Sequence, residues 1–285
     1  MMDSYNLAWK LAHSINGLTP DNPAGNILDT YNTERHTIAQ QLIEFDKAFS
    51  SMFSGKIGAS EDGVSALTHD EFLEVFNRGN GFTSGCGVEY PDNMTVNRSL
   101  TGEDDPIHGT DYLSGILHPG RRLLNVRLVR HADGYRRDLQ DGKIAHNQGI
   151  PHFSHFIDFA STGRFRILCL TSSDLLDSTG ISARALKSLS AIIARFPQSI
   201  LEQVVVHPRL PNDFMWGDIP SAVKEHSEMS FYSGYEMDDV YAIYGVDPAK
   251  GALAIVRPDG YVGIIASLTD VGRAERYLEA LVRTI

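Results

Sequence analysis

Hydrophobic and polar positions follow a helical period in the first part of the chain. Residues 1–11 predict a helix that begins at the first residue, with no cap or loop before it. A second helix is predicted from about Leu28 to Phe53, because apolar residues recur there at three- and four-residue spacing. We expect these apolar residues to form one face that is buried along several turns. They are Ile38, Leu42, Phe45, Phe49 and Phe53.

The middle of the chain combines loops with one short helix. Residues 55–65 are small and polar, as in a linker or a surface loop. Thr68 predicts the start of a helix, because Glu71 completes a capping box with it. From Gly79 to Pro119 the chain is rich in Gly, Asn, Asp and Pro, which predicts long irregular loops that join domains or carry function.

Strands and helices alternate after Pro119. The order of strand, helix, strand, hairpin and helix is typical of a thioredoxin-like α/β layer. Ser182 and Asp270 are the expected N-terminal caps of the two helices. The predicted elements are a strand over 164–170, a helix over 182–196, a strand over 201–207, hairpin strands over 253–257 and 261–266, and a helix over 270–282.

The composition is that of a globular protein, since 42% of the 285 residues are hydrophobic and 21% are charged. The net charge of −11 disfavours a nucleic-acid partner, because phosphate binding requires clustered Lys and Arg. The sequence has no apolar run of about 18 residues, and its first residues lack the order of a secretory signal. We therefore expect a cytoplasmic protein with neither a membrane nor a nucleic-acid partner.

Cysteine and histidine positions disfavour two kinds of site. Cys86 and Cys169 are the two cysteines, far apart and without Cys-x-x-Cys spacing, which argues against a disulfide framework, a zinc site and thiol redox catalysis. Cys169 lies in an apolar run, where we expect it to be a buried hydrophobic residue. His146, His152 and His155 lie close together in sequence, but a metal site needs further converging ligands, so we predict none.

Several segments resemble a known family. Residues 1–11, Met-Met-Asp-Ser-Tyr-Asn-Leu-Ala-Trp-Lys-Leu, resemble the last cofactor-domain helix of FAD-dependent aromatic hydroxylases of the phenol 2-monooxygenase type. Residues 30–35 resemble the Tyr-x-x-Glu-Arg segment of the same enzymes. Residues 244–251 and 255–262 resemble their C-terminal signature, and Pro-Gly-Arg-Arg at 119–122 resembles the entry into that domain.

The resemblance implies an α/β fold with three parts. Residues 1–55 would be the last helices of a flavin-binding domain, residues 56–118 a connecting segment, and residues 119–285 a thioredoxin-like dimerisation domain without redox cysteines. The cofactor implied is FAD, with NADPH as reductant and a phenolic compound as substrate. No catalytic residue is assigned. The residues on the flavin-side helix, and hence the candidate cofactor-binding residues, are Met1, Met2, Asp3 and Asn6.

The dinucleotide fingerprint and the phenol-activating groups of the family would precede the first residue. We therefore expect this chain to be a truncated C-terminal portion, inactive as a hydroxylase by itself. The alternative is a non-catalytic thioredoxin-like module that forms a homodimer or associates with a full-length hydroxylase subunit.

Three tyrosines near the C-terminal end allow two interpretations. Tyr235, Tyr241 and Tyr244 lie close in sequence to the acidic residues Asp238, Asp239 and Asp247. Together they fit either the lining of a phenol pocket or an aromatic patch at a domain or subunit interface, where tyrosine is favoured. We favour the interface.

Overall fold

A computed structural model gives the fold of the chain. It describes residues 2–21, 25–53, 79, 85, 87–98, 105–132, 154–156, 162–208, 210, 214–234 and 239–285. The predicted linker at 55–65, the predicted helix at Thr68, Cys86, His146 and His152 lie outside the described residues, as does the side chain of His155. None of the described helices is long and apolar enough to cross a membrane.

Two helices open the fold, as predicted. Helix α1 spans Met2–Ile15 and helix α2 spans Asp29–Phe53. Two side-chain hydrogen bonds lie at the start of α2: the Asp29 carboxylate accepts from the amide of Asn26 at 2.9 Å, and the Asn26 side chain accepts from the amide of Leu28 at 3.0 Å. These bonds order the residues just before α2 and mark where the helix begins.

The rest of the described chain is built on one mixed sheet. In the described residues the sheet has seven strands in the order β2-β1-β5-β4-β3-β6-β7. The strands are β1 (Arg127–Arg130), β2 (Ser154–Phe156), β3 (Phe165–Leu170), β4 (Leu201–His207), β5 (Phe231–Gly234), β6 (Ala252–Val256) and β7 (Val262–Ala266). The accompanying helices are α3 (Ile181–Ile193), α4 (Ser221–His226), α5 (Val240–Tyr244) and α6 (Val271–Leu281).

Four of these strands have the thioredoxin-like arrangement. Strands β3 and β4 are parallel and are joined by α3, while β6 pairs antiparallel with both β3 and β7. Helix α6 follows β7 and packs with α3 on one face of the sheet. The prediction of a thioredoxin-like α/β layer is confirmed. Every residue of β3, β6 and β7 is buried, which explains why these strands are apolar apart from Arg166 of β3.

Helix α1 shares the hydrophobic core of this layer. Trp9 packs edge-on against Phe165 of β3, with ring centroids 5.5 Å apart. Ile27, just before α2, belongs to the same core as Leu186 of α3 and Leu278 of α6. The opposite face of the sheet is covered by residues 117–126 and by α5. The first two helices and the thioredoxin-like layer are therefore packed together.

The predicted cap of α3 is wrong. Ser182 lies inside the helix, and its hydroxyl contacts the hydroxyl of Ser172 at 2.7 Å. The carboxylate of Asp174, in the loop after β3, instead accepts hydrogen bonds from the amides of Ile181 and Ser182. Spacing along the sequence could not reveal this cap, because the loop folds back onto the helix start. The predicted cap of α6 is confirmed, since Asp270 accepts from the amide of Arg273 at 3.2 Å.

The predicted burial of one face of α2 is correct only in part. Ile38 is buried beside Val88, Tyr90 and Val96. Leu42, one turn later, is 49% exposed. Periodicity shows which side chains share a face, but it does not show how far along the helix that face is covered.

Candidate functional site

The polar side of α1 faces the interior. Asn6, Lys10 and His13 follow one another at three- and four-residue spacing and are buried with Trp9. Ile15, on the same helix, is 80% exposed. A hydrophobic helix face would need only apolar neighbours, whereas buried amide and ammonium groups need polar partners. Those partners come from α2 and from the turn between β6 and β7.

The central contact joins Glu34 of α2 to Arg257 at the end of β6. The guanidinium Nη1 donates to Oε1 of Glu34 at 2.6 Å, and Nη2 donates to Oε2 at 3.0 Å. The other side of the guanidinium binds Asp259, with Nε donating at 3.0 Å and Nη2 at 2.6 Å. The Glu34 and Arg257 side chains are fully buried, and Asp259 is almost so. Such paired geometry is the strong form of the charged hydrogen bond.

Glu34 receives four further donors. Lys10 donates from Nζ at 2.8 Å and Asn6 from Nδ2 at 2.7 Å, both to Oε2. Thr95 and Asn93 donate to Oε1 at 2.9 and 3.1 Å. A buried carboxylate with this many donors is held in its charged form. We call the set Lys10, Glu34, Arg257 and Asp259 the ion cluster.

The ion cluster is neutral as a whole, with two cations and two anions. Burial acts to raise the pKa of Glu34, but Arg257 and Lys10 outweigh it and hold that pKa well below its usual value. Burial lowers the pKa of Lys10 from 10.5 to about 8, against the opposing effect of Glu34. Burial also opposes the charge of Arg257, yet Asp259 and Glu34 raise its pKa. Each charge therefore depends on the others.

Aromatic rings enclose the guanidinium of Arg257. Its Cζ lies 5.4 Å from the ring centroid of Trp9, 5.2 Å from that of Tyr90 and 5.8 Å from that of Tyr261. Cation–π attraction is strongest when the cation is removed from water, as it is here. The rings therefore replace part of the hydration that Arg257 loses on burial.

The first turns of α1 are tied to the same region. The Tyr5 hydroxyl donates to the carbonyl of Pro258 at 2.7 Å, and Asn6 donates to Asp259 at 3.2 Å. Arg35 of α2 forms an ion pair with Asp3 and donates to the Tyr90 hydroxyl at 2.9 Å. The start of α1 is thus held from two sides.

The predicted cofactor-binding residues occupy different surroundings. Met1 lies outside the described residues. Met2 is half-buried against the core around Ile38, and Asp3 is exposed. Asn6 is buried, with its amide group directed toward Glu34 and Asp259. Whether any of these residues contacts a flavin stays a prediction.

The predicted aromatic interface patch is wrong for two of its tyrosines. Tyr241 and Tyr244 are buried inside the fold. The Tyr241 hydroxyl lies 2.7 Å from the carbonyl oxygen of Thr171, and the Tyr244 hydroxyl donates to that of Leu124 at 2.6 Å. Buried tyrosines need such partners, and backbone carbonyls supply them. Asp239 caps α5, while Tyr235 and Asp238 lie outside the described residues.

The predicted burial of Cys169 is confirmed, and two histidines form a contact that was not predicted. Cys169 is fully buried, and burial raises the pKa of its thiol to about 12. His131 and His207 face each other with their Nε2 atoms 2.6 Å apart, a contact that no sequence pattern indicated. Burial lowers the pKa of His207 to about 4, against a hydrogen bond with the Pro208 carbonyl. Within the described ranges no three His, Cys, Asp or Glu side chains form a metal-binding group.

The members of the ion cluster were not predicted as site residues. Glu34 lies in the Tyr-x-x-Glu-Arg segment, and Arg257 and Asp259 lie in the Arg-Pro-Asp-Gly segment. Both segments carried the family resemblance, but nothing in either one indicated that they meet. A buried contact across this sequence distance was accessible only from the tertiary structure.

Two domain families match the chain. Residues 1–46 match an FAD binding domain, and residues 152–284 match the C-terminal dimerisation domain of phenol hydroxylase. The ion cluster joins these two matched segments, because Lys10 and Glu34 lie in the first and Arg257 and Asp259 lie in the second.

Curated relatives align over nearly the whole chain. A 3-hydroxybenzoate 4-monooxygenase of Comamonas testosteroni is 30% identical over 294 residues, which are 99% of this chain and 43% of that protein. The flavin-dependent oxygenase ucdD of Aspergillus ustus is 28% identical, covering 100% of this chain and 40% of that protein. The phenol 2-monooxygenase fsqG of Aspergillus fumigatus is also 28% identical, covering 99% of this chain and 44% of that protein. The chain thus spans about two fifths of the length of these relatives.

A solved structure supports the fold. The ternary complex of aklavinone-11 hydroxylase with FAD and aklavinone aligns with 98% of this chain and 38% of its own chain, with a TM-score of 0.51 and 18% identity. The fold and the two matched segments are shared with flavin-dependent monooxygenases. The chain belongs to the FAD-dependent aromatic monooxygenases of the phenol hydroxylase type and contains their C-terminal dimerisation domain.

Proposed function

We propose that this chain is part of an FAD-dependent, NADPH-using monooxygenase that hydroxylates phenolic aromatic compounds. The observation that supports the proposal is the ion cluster, which joins the segment matched by an FAD binding domain to the dimerisation domain. Two segments that serve one enzyme need a fixed relative position, and a buried charged contact provides one. The division into residues 1–55, 56–118 and 119–285 is part of this proposal.

The start of α1 suits the proposed flavin contact. The first N–H groups of a helix have no partner within the helix, and its N-terminus favours anionic or polar groups. Asp3 and Ser4 are exposed at this end, so the first turn is accessible. Asn6 directs its amide inward, and its proposed role is therefore to orient the helix. When bound, FAD supplies the activation of oxygen and its transfer to the aromatic ring.

The lengths of the relatives suggest that hydroxylation requires a longer protein than these 285 residues. Because the chain spans about two fifths of their length, we assign the reaction to the longer protein and expect no hydroxylase activity from these 285 residues alone. Titration of the chain with FAD, followed by protein-bound flavin absorbance and by NADPH oxidation with simple phenols, tests this. Phenol-dependent NADPH oxidation by the chain alone would contradict the assignment, whereas absence of any flavin binding would count against the proposed contact at α1.

A second candidate function is a non-catalytic dimerisation module. Its support is the match of residues 152–284 to a dimerisation domain, which suggests self-association. The proposed partner is a second copy or a full-length hydroxylase subunit. Light scattering of the purified chain, alone and mixed with a full-length relative, tests this. A chain that stays monomeric in both samples would eliminate this candidate.

A further inference from the structure

The turn between β6 and β7 contacts α1 at successive helical turns. The carbonyl of Pro258 accepts from Tyr5, the carboxylate of Asp259 accepts from Asn6, and Arg257 reaches Lys10 through Glu34. This turn lies in the matched dimerisation domain, whereas α1 lies in the matched FAD-binding segment. We call residues 257–260 the clamp turn.

We propose that the clamp turn positions the flavin-side start of α1, with Arg257 and Asp259 as positioning residues. Its contacts on the helix are Tyr5, which donates to the Pro258 carbonyl, and Asn6, which donates to Asp259. The flavin part of this inference rests on the proposed function. The dimerisation domain then has a second task beside association, because the orientation of α1 depends on it.

The clamp turn is built to hold a fixed shape. Gly260 has a φ of +83°, a conformation that residues with a side chain rarely adopt, and its amide donates to the carbonyl of Arg257 at 2.9 Å. Asp259 binds Arg257 through two hydrogen bonds within the same turn. The groups that meet α1 are therefore held in place by contacts within the turn itself.

Helix α1 depends on tertiary contacts for its position. It has 14 residues, and isolated helices below roughly 12 to 15 residues are only marginally stable in water. The side chains that it buries toward the clamp turn are mainly polar, and hydrogen bonds of charged groups fix direction more strictly than apolar contacts do. Loss of one hydrogen bond at the start of the helix should loosen α1 before it affects the sheet.

Hydrogen exchange of the full 285-residue chain tests the inference. Tyr5→Phe removes the bond to Pro258 and keeps the ring, so the variant should fold. We expect the amides of α1 to exchange roughly two- to tenfold faster, which corresponds to one hydrogen bond, while the amides of α6 stay unchanged. Tyr31→Phe, on the half-buried face of α2, is the matched control and should change neither helix.

Other outcomes would overturn the inference. Unchanged exchange in α1 would show that the clamp turn does not hold the helix. Equal acceleration in α1 and α6 would show a general loss of stability, and acceleration by Tyr31→Phe would show that any tyrosine change has this effect. Asp259→Asn provides a second variant, which should accelerate exchange in α1 more than in α6.

FAD titration separates this inference from the proposed function. If the unaltered chain takes up no FAD, the flavin contact of α1 fails, while the exchange experiment still decides whether the clamp turn positions the helix. If the chain binds FAD, Tyr5→Phe should weaken binding at least twofold and Tyr31→Phe should not. Equal affinity of both variants would contradict a role of the clamp turn in flavin binding.

Discussion

Arg257 and Glu34 lie 223 residues apart in the chain and form a fully buried bidentate ion pair. Each residue belongs to a segment that resembles the same enzyme family. The contact shows that these two segments bind each other in the folded protein. Arg257 fixes the turn after β6, and Glu34 of α2 accepts hydrogen bonds from α1 and from residues 93–95. One ion pair thus connects the helices near the chain start to the thioredoxin-like layer.

Replacement of Arg257 by Met should destabilise the protein strongly. The substitution leaves the Glu34 and Asp259 carboxylates buried with one cation between them, and the loss of one partner of a buried pair costs about 3 to 5 kcal/mol. Urea unfolding followed by circular dichroism measures the change. The matched control is Arg195→Met, which removes an exposed arginine paired with Glu275 and Glu279 and should cost less than about 1 kcal/mol. Similar losses in both variants would refute the importance assigned to the buried pair.

Acid should weaken the fold through Glu34. Its pKa is lowered in the folded state, so its contribution to stability is fully present above the unfolded value of 4.5 and is lost as the pH falls below it. We expect Glu34→Gln to be less stable than the unaltered protein at pH 7, with this difference shrinking toward pH 3. Unfolding free energies at both pH values measure the effect. For Glu279→Gln, at an exposed position, the difference in unfolding free energy from the unaltered protein should not shrink between pH 7 and pH 3. If the difference for Glu34→Gln is the same at both pH values, the prediction is wrong.

Removal of the Asp174 carboxylate should destabilise the start of α3. Asp174→Ala leaves the amides of Ile181 and Ser182 without their acceptor, and loss of a helix cap costs about 1 to 2 kcal/mol. Thermal or urea unfolding detects this change. Asp177→Ala, in the same loop, removes an exposed carboxylate that binds Thr179 and should have a smaller effect. If Ser182→Ala proves more damaging than Asp174→Ala, the cap has been assigned to the wrong residue.

Cys169 should be inert toward thiol reagents in the native protein. Its side chain is fully buried and its pKa is raised to about 12, so neither access nor thiolate is available at neutral pH. In a Cys86→Ser variant, the remaining thiol should react with an aromatic disulfide reagent only as fast as the protein unfolds. Addition of denaturant should restore rapid reaction, and rapid labelling without denaturant would contradict the burial of Cys169.

Local sequence pattern was sufficient for most of the thioredoxin-like layer. The largely apolar segments 164–170 and 201–207 predicted β3 and β4, and Asp270 marked the start of α6. These elements are specified by neighbours in the sequence, through strand propensity, helical period and capping. The sequence segments at both ends also indicated the family without any coordinates.

Only the tertiary structure decided where polar groups find their partners. The inward polar side of α1 and the buried hydroxyl of Tyr244 depend on atoms that are distant in sequence, and the Asp174 cap depends on a loop that folds back onto its helix. The periodicity of the sequence showed which residues share one face of a helix, but it could not show which other parts of the protein that face contacts. The Glu34–Arg257 pair is the clearest case, because a buried side chain stays ionised only when an opposite charge lies beside it. These two residues come together only in the folded protein.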